Sequence, residues 1–344
     1  MAGLIEVITG GLGNAIQDTG RCGHRHQGLA VSGYLDRPLA DCANALVGNP
    51  PAAACLELRG LGPQLAVRHG PLRVALAGNV AATILRANGS SQPLPAWQSA
   101  TLTEQDSLKI GAVAGGTAYL ALSGGCAVPR QLGSRSTYQR AGIGGIDGHA
   151  LQTGDRIPCA QLGQRDYRET RGEPFVHADG PIRVLLGPQA GHFTDDAIAT
   201  FLNTPYTATA EQDRMGLRLA GPALAHSSPA SADIVSDGVT PGAIQVPANG
   251  LPIILLADCQ TVGGYPKIAT VISADLPRLA HCPPGSRLEF QAVDLATAHH
   301  ALAELRQRWT DWAHGLQHFL PPGSLDEAAL YGGNLISGMV RAEP

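Results

Sequence analysis

Lysine is nearly missing from this chain. Lys109 and Lys267 are the only two among 24 basic residues, and the other 22 are arginines. With 28 acidic residues the formal net charge is −4, and no basic stripe is available to track a phosphate backbone or an anionic membrane. Aromatic residues make up 4% of the chain, and no apolar run is long enough for a membrane span. The N-terminus lacks the basic flank and long apolar stretch of a secretion signal, so a cytoplasmic protein is expected. The seven cysteines are odd in number and widely spaced, without a CxxC pair; they are expected to be reduced small hydrophobes. There is no Walker A loop, HExxH, G-x-S-x-G elbow or Met-Lys-Met site. If ATP or biotin takes part in this protein's chemistry, another chain binds or carries it.

Glycine and proline are what the chain has in excess, 43 and 25 residues respectively, and they predict many turns and short strands. A length of 344 residues suggests two domains. Strands are expected at 3–9, 54–59, 64–68, 72–77 and 182–186, and a short helix near 195–202. Residues 35–46 carry apolar side chains at helical spacing, with Asp36 placed to cap and Pro38 in the first turn. A longer amphipathic helix is expected from 294 to 319, its apolar stripe serving as core or as a contact with another chain. Segments 102–110, 151–157 and 281–290 echo one another, as do 71–78 and 181–187, which two similar β-domains would produce. The polar stretch 162–180 has no apolar period and is expected to link them. His24 and His26 would share one face of an extended chain; a hydrogen-bonded loop pair explains them without a metal.

The chain is organised around residues 241–272. A nearly unbroken aliphatic run, 251–257, predicts a strand buried on both faces, joined to 243–246 by the Pro-Ala-Asn-Gly turn at 247–250. Where that strand leaves the core stand Asp258, Gln260 and Thr261, then Gly263, Gly264 and Tyr265. Such a cluster either presents a polar site on a rigid sheet or is a capped strand end that satisfies itself. As a site, these residues are expected to face a cleft between the two halves, the glycines letting backbone and ligand approach closely. Asp258 then orients an arginine, acts as a base, or accepts backbone hydrogen bonds. In 213–219, extended geometry places Arg214 and Arg218 on one face over Met215, Leu217 and Leu219. Paired arginines suit a carboxylate or phosphate, and a solvated face with surface ion pairs is the alternative. On the first reading, Arg214→Ala is expected to weaken the substrate response without unfolding the barrel.

Several of these segments in order resemble one family. QDTGRCG, VSGYLD, ANALVGN, LGSRST, DRMGLRL and GAIQVPANGLPIILLADCQTVGGYPKIATVISADL are similar to the allophanate hydrolase subunit 2 family, within the biotin-dependent carboxyltransferases, over about residues 4–292. That resemblance implies a mainly β fold with a few helices: two cyclophilin-like β-barrels related by a pseudo-twofold, at 1–172 and 173–293, then a C-terminal helix and tail at 294–344. The candidate catalytic residues are Asp258, Gln260 and Tyr265, and the candidate substrate-binding ones are Arg21, Ser136, Arg214, Arg218, Gln245, Thr261, Gly263 and Gly264. The implied activity is that of the C-type component of an ATP-dependent 5-oxoprolinase, which opens 5-oxoproline to glutamate. A KipA-type regulator binding a kinase inhibitor, or the carboxyltransferase component of a urea carboxylase, is the alternative. The implied partners are a subunit-1 protein (KipI-like, similar to the B-type component of 5-oxoprolinase), a protein similar to the A-type component, and a small amide substrate. ATP or carboxybiotin would be supplied through those partners. Two positions depart from the family's habit and bear on ligand choice: Asp237 where glutamate is frequent, and His281 where glutamine is common.

Overall fold

The computed structural model describes residues 3–160 and 169–321. Part of the expected linker, 162–168, and the tail around 334–338 lie outside the described residues. The chain is mainly β, with four α-helices among the described residues. Two sheets of the first half face each other. One holds six strands, including Gly3–Thr9, Gln64–His69 and Ser107–Ile110; the other holds five, including Cys55–Leu61, Ala112–Leu122 and Leu72–Ala77. Period-2 alternation sends Ile5, Val7, Leu56, Leu58, Leu76 and Leu120 into the space between them.

The second half is built on one eight-stranded sheet. Its terminal strands, Arg287–Leu288 and Phe290–Ala292, are separated only by Glu289, so consecutive residues join the two ends of the sheet. That curls it into a nearly closed barrel around Val184, Phe201, Tyr206, Leu217, Ile244, Ile254 and Phe290. The hairpin at the centre is present: Ala243–Gln245 pairs antiparallel with Ile253–Leu255. The strand is shorter than the aliphatic run that foretold it, because Leu256 to Asp258 turn away to bond the segment beside Arg214.

Helix α1 spans Arg37–Leu46 and is capped as expected, Asp36 Oδ1 accepting from Leu39 N at 3.0 Å. Helix α2 is Asp195–Asn203, α3 the single turn Leu276–Leu279, and α4 runs Leu295–His314. Leu39, Cys42, Ala43 and Leu46 of α1 pack with Ala298, Ala301 and Leu305 of α4 and with Cys55, Ala75 and Tyr119 from the outer face of the five-stranded sheet. The stripe on α4 is therefore core. The helix stops five residues early, at Gly315, and Gln317–Phe319 instead forms a strand against Glu169–Arg171. The middle of the expected linker thus joins an ordered β-pair, with Glu169 and Thr170 both buried. All seven cysteines are free, Cys22 being exposed. His24 and His26 do not alternate on an extended chain; Arg25–Gln27 is a 3-10 turn. No described helix is long and apolar enough to cross a membrane.

Candidate functional site

The two halves share a groove of about 990 Å³. Leu12, Arg59, Tyr138 and Arg140 line it from one side, and Arg214, Met215, Leu256 and Asp258 from the other. At its floor lies an ion cluster that crosses between the halves. Arg214 donates from Nε to Asp258 Oδ2 at 2.9 Å and from Nη2 to Asp258 Oδ1 at 3.1 Å, a side-on fork. Its Nη1 donates to Glu57 Oε1, and Nη2 also reaches Gly33 O at 2.6 Å. Glu57 Oε2 accepts from Tyr119 Oη at 2.8 Å and Leu35 N at 2.9 Å. Burial opposes the charge on Arg214, but Glu57 and Asp258 more than offset it and hold the guanidinium ionised above its ordinary range. Burial and then the Glu57 carboxylate push the Tyr119 phenol well up, so it stays a donor. Of the three roles open to Asp258, orienting an arginine is the one its contacts display.

The expected pairing of Arg214 with Arg218 is corrected by the structure. The strand begins only at Gly216, because Asp213 Oδ1 accepts from Met215 N at 2.7 Å and Gly216 N at 3.2 Å and closes a turn. A side chain bonding its own backbone displaces the extended form there. Arg214 consequently points into the ion cluster, whereas Arg218 is exposed and pairs with exposed Glu211 at 3.1 Å.

A second correction concerns Gln260, Tyr265 and Thr261. Gln260 and Tyr265 line a separate groove of about 510 Å³ with Arg218, Gln245 and Glu211, all from the second half; Thr261 lines neither groove. The two grooves flank one ridge, the turn holding Gln212, Asp213 and Met215. Gln245 is buried; its Oε1 accepts from Gln260 Nε2 at 3.3 Å and its Nε2 donates to Tyr265 O at 3.4 Å. Gly263 makes room for this amide rather than for a ligand, since a Cβ there would lie 2.5 Å from Gln245 Nε2. At Gly264 a Cβ would meet only ordinary contacts, so no close approach requires glycine.

Arg21 and Ser136 belong to the scaffold beside the site and line neither groove. Arg21 is fully buried, donating from Nη2 to Ser136 O at 2.6 Å and from Nε to Gln131 O at 3.3 Å. The Ser136 hydroxyl donates to Asp18 Oδ1 at 2.7 Å and accepts from Asp18 N at 3.0 Å. Burial would raise the Asp18 carboxyl, but hydrogen bonds from Arg135 N, Ser134, Ser136 and Gly20 N hold it below its usual value. This depressed group adds stability above an unfolded pKa of about 3.9, lost as pH falls through the lower folded value. Asp18→Asn is expected to cost about 1.5–3 kcal/mol at neutral pH and to flatten the acid limb of the stability profile. Urea midpoints measured from pH 7 down to pH 3 check this; an unchanged limb would remove Asp18 from the account.

Glu57, Tyr119 and Gly33 were not foreseen as part of the site. Glu57 sits inside an apolar strand, C-L-E-L, whose two faces are both covered, and a carboxylate in that setting was the available signal.

Against known proteins, the family model described as carboxyltransferase domain, subdomain A and B, matches residues 27–292. The chain is 36% identical over 299 residues to the 5-oxoprolinase C subunit of Escherichia coli strain K12, covering 86% of this chain and 93% of the relative. It is 30% identical over 322 residues to a putative urea carboxylase of Emericella nidulans, covering 89% of this chain and 26% of that one. Among solved structures, the K. lactis urea amidolyase superposes with a TM-score of 0.79 at 25% identity, over 90% of this chain and 20% of that one. The Kluyveromyces lactis urea carboxylase gives 0.78 at 25% identity, over 90% and 29%. The chain thus spans nearly the whole of the bacterial relative and 20–29% of these urea enzymes. A match over this length, on a fold that superposes so well, makes the chain a member of the carboxyltransferase domain A and B family.

Proposed function

We propose that this chain is the C-type component of an ATP-dependent 5-oxoprolinase and works with separate chains resembling the B and A components. The observation that carries this reading is the end-to-end match to the bacterial 5-oxoprolinase component, which covers 93% of that relative. The nucleotide is bound by a partner in this reading, and 5-oxoproline enters the groove system on either side of the 212–215 turn. Arg218, the exposed cation of the smaller groove, takes the substrate carboxylate, while Gln245 and Gln260 offer amide donors and acceptors to the lactam. The Arg214–Asp258 pair holds the wall of the larger groove in shape. A second reading, the carboxyltransferase component of a urea-using system with carboxybiotin brought by another chain, is favoured by the urea carboxylase relatives.

Co-expression with the partner components, followed by measurement of glutamate formed from 5-oxoproline and ATP, tests the first reading. Activity should vanish when this chain is omitted. Full activity without it, or urea-dependent carboxybiotin turnover in its place, rejects the 5-oxoprolinase reading. In the active assembly Asp258→Asn should lower turnover at least tenfold, since one guanidinium N–H then faces an amide NH2 and a hydrogen bond to a charged group is worth about 1.5–3 kcal/mol. Wild-type turnover in this variant would return Asp258 to a purely local role.

A further inference from the structure

Asp36, His177 and His281 come from three distant segments and meet at one point. Asp36 caps α1, His177 lies on the segment that joins the two halves, and His281 follows α3. His177 Nε2 lies 2.5 Å and His281 Nε2 2.7 Å from the same atom, Asp36 Oδ2. Their ligating atoms all fall within 4.8 Å of one another, the one such cluster of three or more His, Cys, Asp or Glu among the described residues. We propose that Asp36, His177 and His281 form a binding site for a zinc-class divalent cation, with water in the fourth position.

The donor set decides the class of ion. Two imidazoles and one carboxylate suit zinc and its first-row neighbours; calcium and magnesium take oxygen shells, and soft copper(I) takes sulfur. Tetrahedral zinc with bonds of about 2.0–2.2 Å places its ligand atoms roughly 3.3 Å apart. Admitting the ion requires the present N–O separations of 2.5 and 2.7 Å to open by roughly 0.6–0.8 Å to that value. Each imidazole coordinates through Nε2, and the proton it now shares with Asp36 passes to its own Nδ1 or to solvent.

The surroundings are those of a held site with access from one side. The Asp36 side chain is fully buried, while those of His177 and His281 are 17% and 26% exposed, leaving a path for ion and water. Asp36 Oδ1 is fixed by Leu39 N at 3.0 Å, so Oδ2 keeps its direction. The His177 ring is held edge-on by Phe175 with centroids 5.6 Å apart, and the two imidazole rings lie 5.6 Å apart at 34°. A Cβ on Gly116 would come within 2.8 Å of His281 Nδ1, so the backbone closes in behind that ring. An ion here would tie the connecting segment to α1 and to Ala280 and Cys282, which line the shared groove.

The test uses the full chain, stripped with a chelator and titrated with zinc against a chromophoric competitor, with cobalt(II) as a spectroscopic stand-in. The expected result is one equivalent bound at micromolar or tighter affinity, tetrahedral cobalt bands, and a zinc-dependent rise in melting temperature. His177→Gln and His281→Gln each keep a hydrogen-bond donor for Asp36 and should fold, yet lose affinity at least tenfold and lose the thermal shift. His26→Gln, an exposed histidine elsewhere, should bind as wild type. Equal zinc affinity in the His177→Gln/His281→Gln double variant would mean binding elsewhere on the surface and overturn the proposal. So would failure of the wild-type chain to take up an equivalent at micromolar zinc, which would leave the three residues as a hydrogen-bonded clasp.

Discussion

Arg214→Ala should destabilise the folded chain by about 3–5 kcal/mol, the usual cost of removing one partner from a buried ion pair. The sequence-based expectation was a binding defect in an intact barrel, and the contacts of Arg214 reverse it. Its guanidinium is the single cation between Glu57 and Asp258, and its side chain is only 13% exposed. Without it, two buried carboxylates face each other across the junction of the halves, with no neutralising charge in direct contact. Arg214→Lys keeps the charge but gives up the fork to Asp258, so a smaller loss is expected. Adding Glu57→Gln to Arg214→Ala should recover part of the loss by removing one unpaired charge. Urea denaturation of the four proteins measures this directly. A cost below about 1 kcal/mol for Arg214→Ala, the range of exposed pairs, would show that water reaches the cluster and screens it.

Gly144→Ala is expected to cost about 2–5 kcal/mol and to loosen the loops that hold Arg21. Gly144 has φ +75°, where an L side chain is strained by about 1–2 kcal/mol. Steric overlap adds to this: a Cβ there would lie 1.8 Å from Ser136 O and 2.5 Å from Arg21 Nη2. Ser136 O is the acceptor for that same Arg21 nitrogen, so the loop cannot shift without breaking a buried charge-assisted hydrogen bond. Overpacking of this kind typically costs about 1–3 kcal/mol more. Gly142→Ala is a useful companion, because its φ is also positive but nothing stands near its Cβ; it should show the backbone strain alone. Equal losses in the two variants would mean that the overlap at 144 is relieved without consequence.

Much of the fold was legible because it is written in local periodicity. Leu39, Cys42, Ala43 and Leu46 repeat at helical spacing behind a capping Asp36, and α1 follows within a residue or two of the expected limits. The aliphatic run at 251–257 and its Asn-Gly turn gave the central hairpin for the same reason: burial and turn chemistry are properties of adjacent residues. The site was less legible where its geometry depends on distant partners. Parity along 213–219 failed on one Asx turn at Asp213, and that single turn separated Arg214 from Arg218. Gln260 and Tyr265 stand within seven residues of Asp258 yet open onto a different groove, because the chain bends sharply where it leaves the sheet. Glu57 and His177 become interesting only when residues 157 and 141 positions away arrive beside them. Linear spacing carries no information about such encounters.

The short β-pair between Glu169–Arg171 and Gln317–Phe319 has a consequence for how the chain is made. Thr170 and His318 are partners 148 residues apart. At about 5–20 residues per second, a ribosome finishes the second segment roughly 7–30 s after the first. During that interval the strand at 169–171 leaves the exit tunnel with a bare edge beside a first half whose own sheets are already complete. The faces of α1 that α4 will cover wait longer still, since α4 begins 249 residues after α1 ends. Nascent chains stalled before residue 295 should therefore carry an adhesive seam that the released protein does not, and this seam is where a chaperone would dwell on the growing polypeptide.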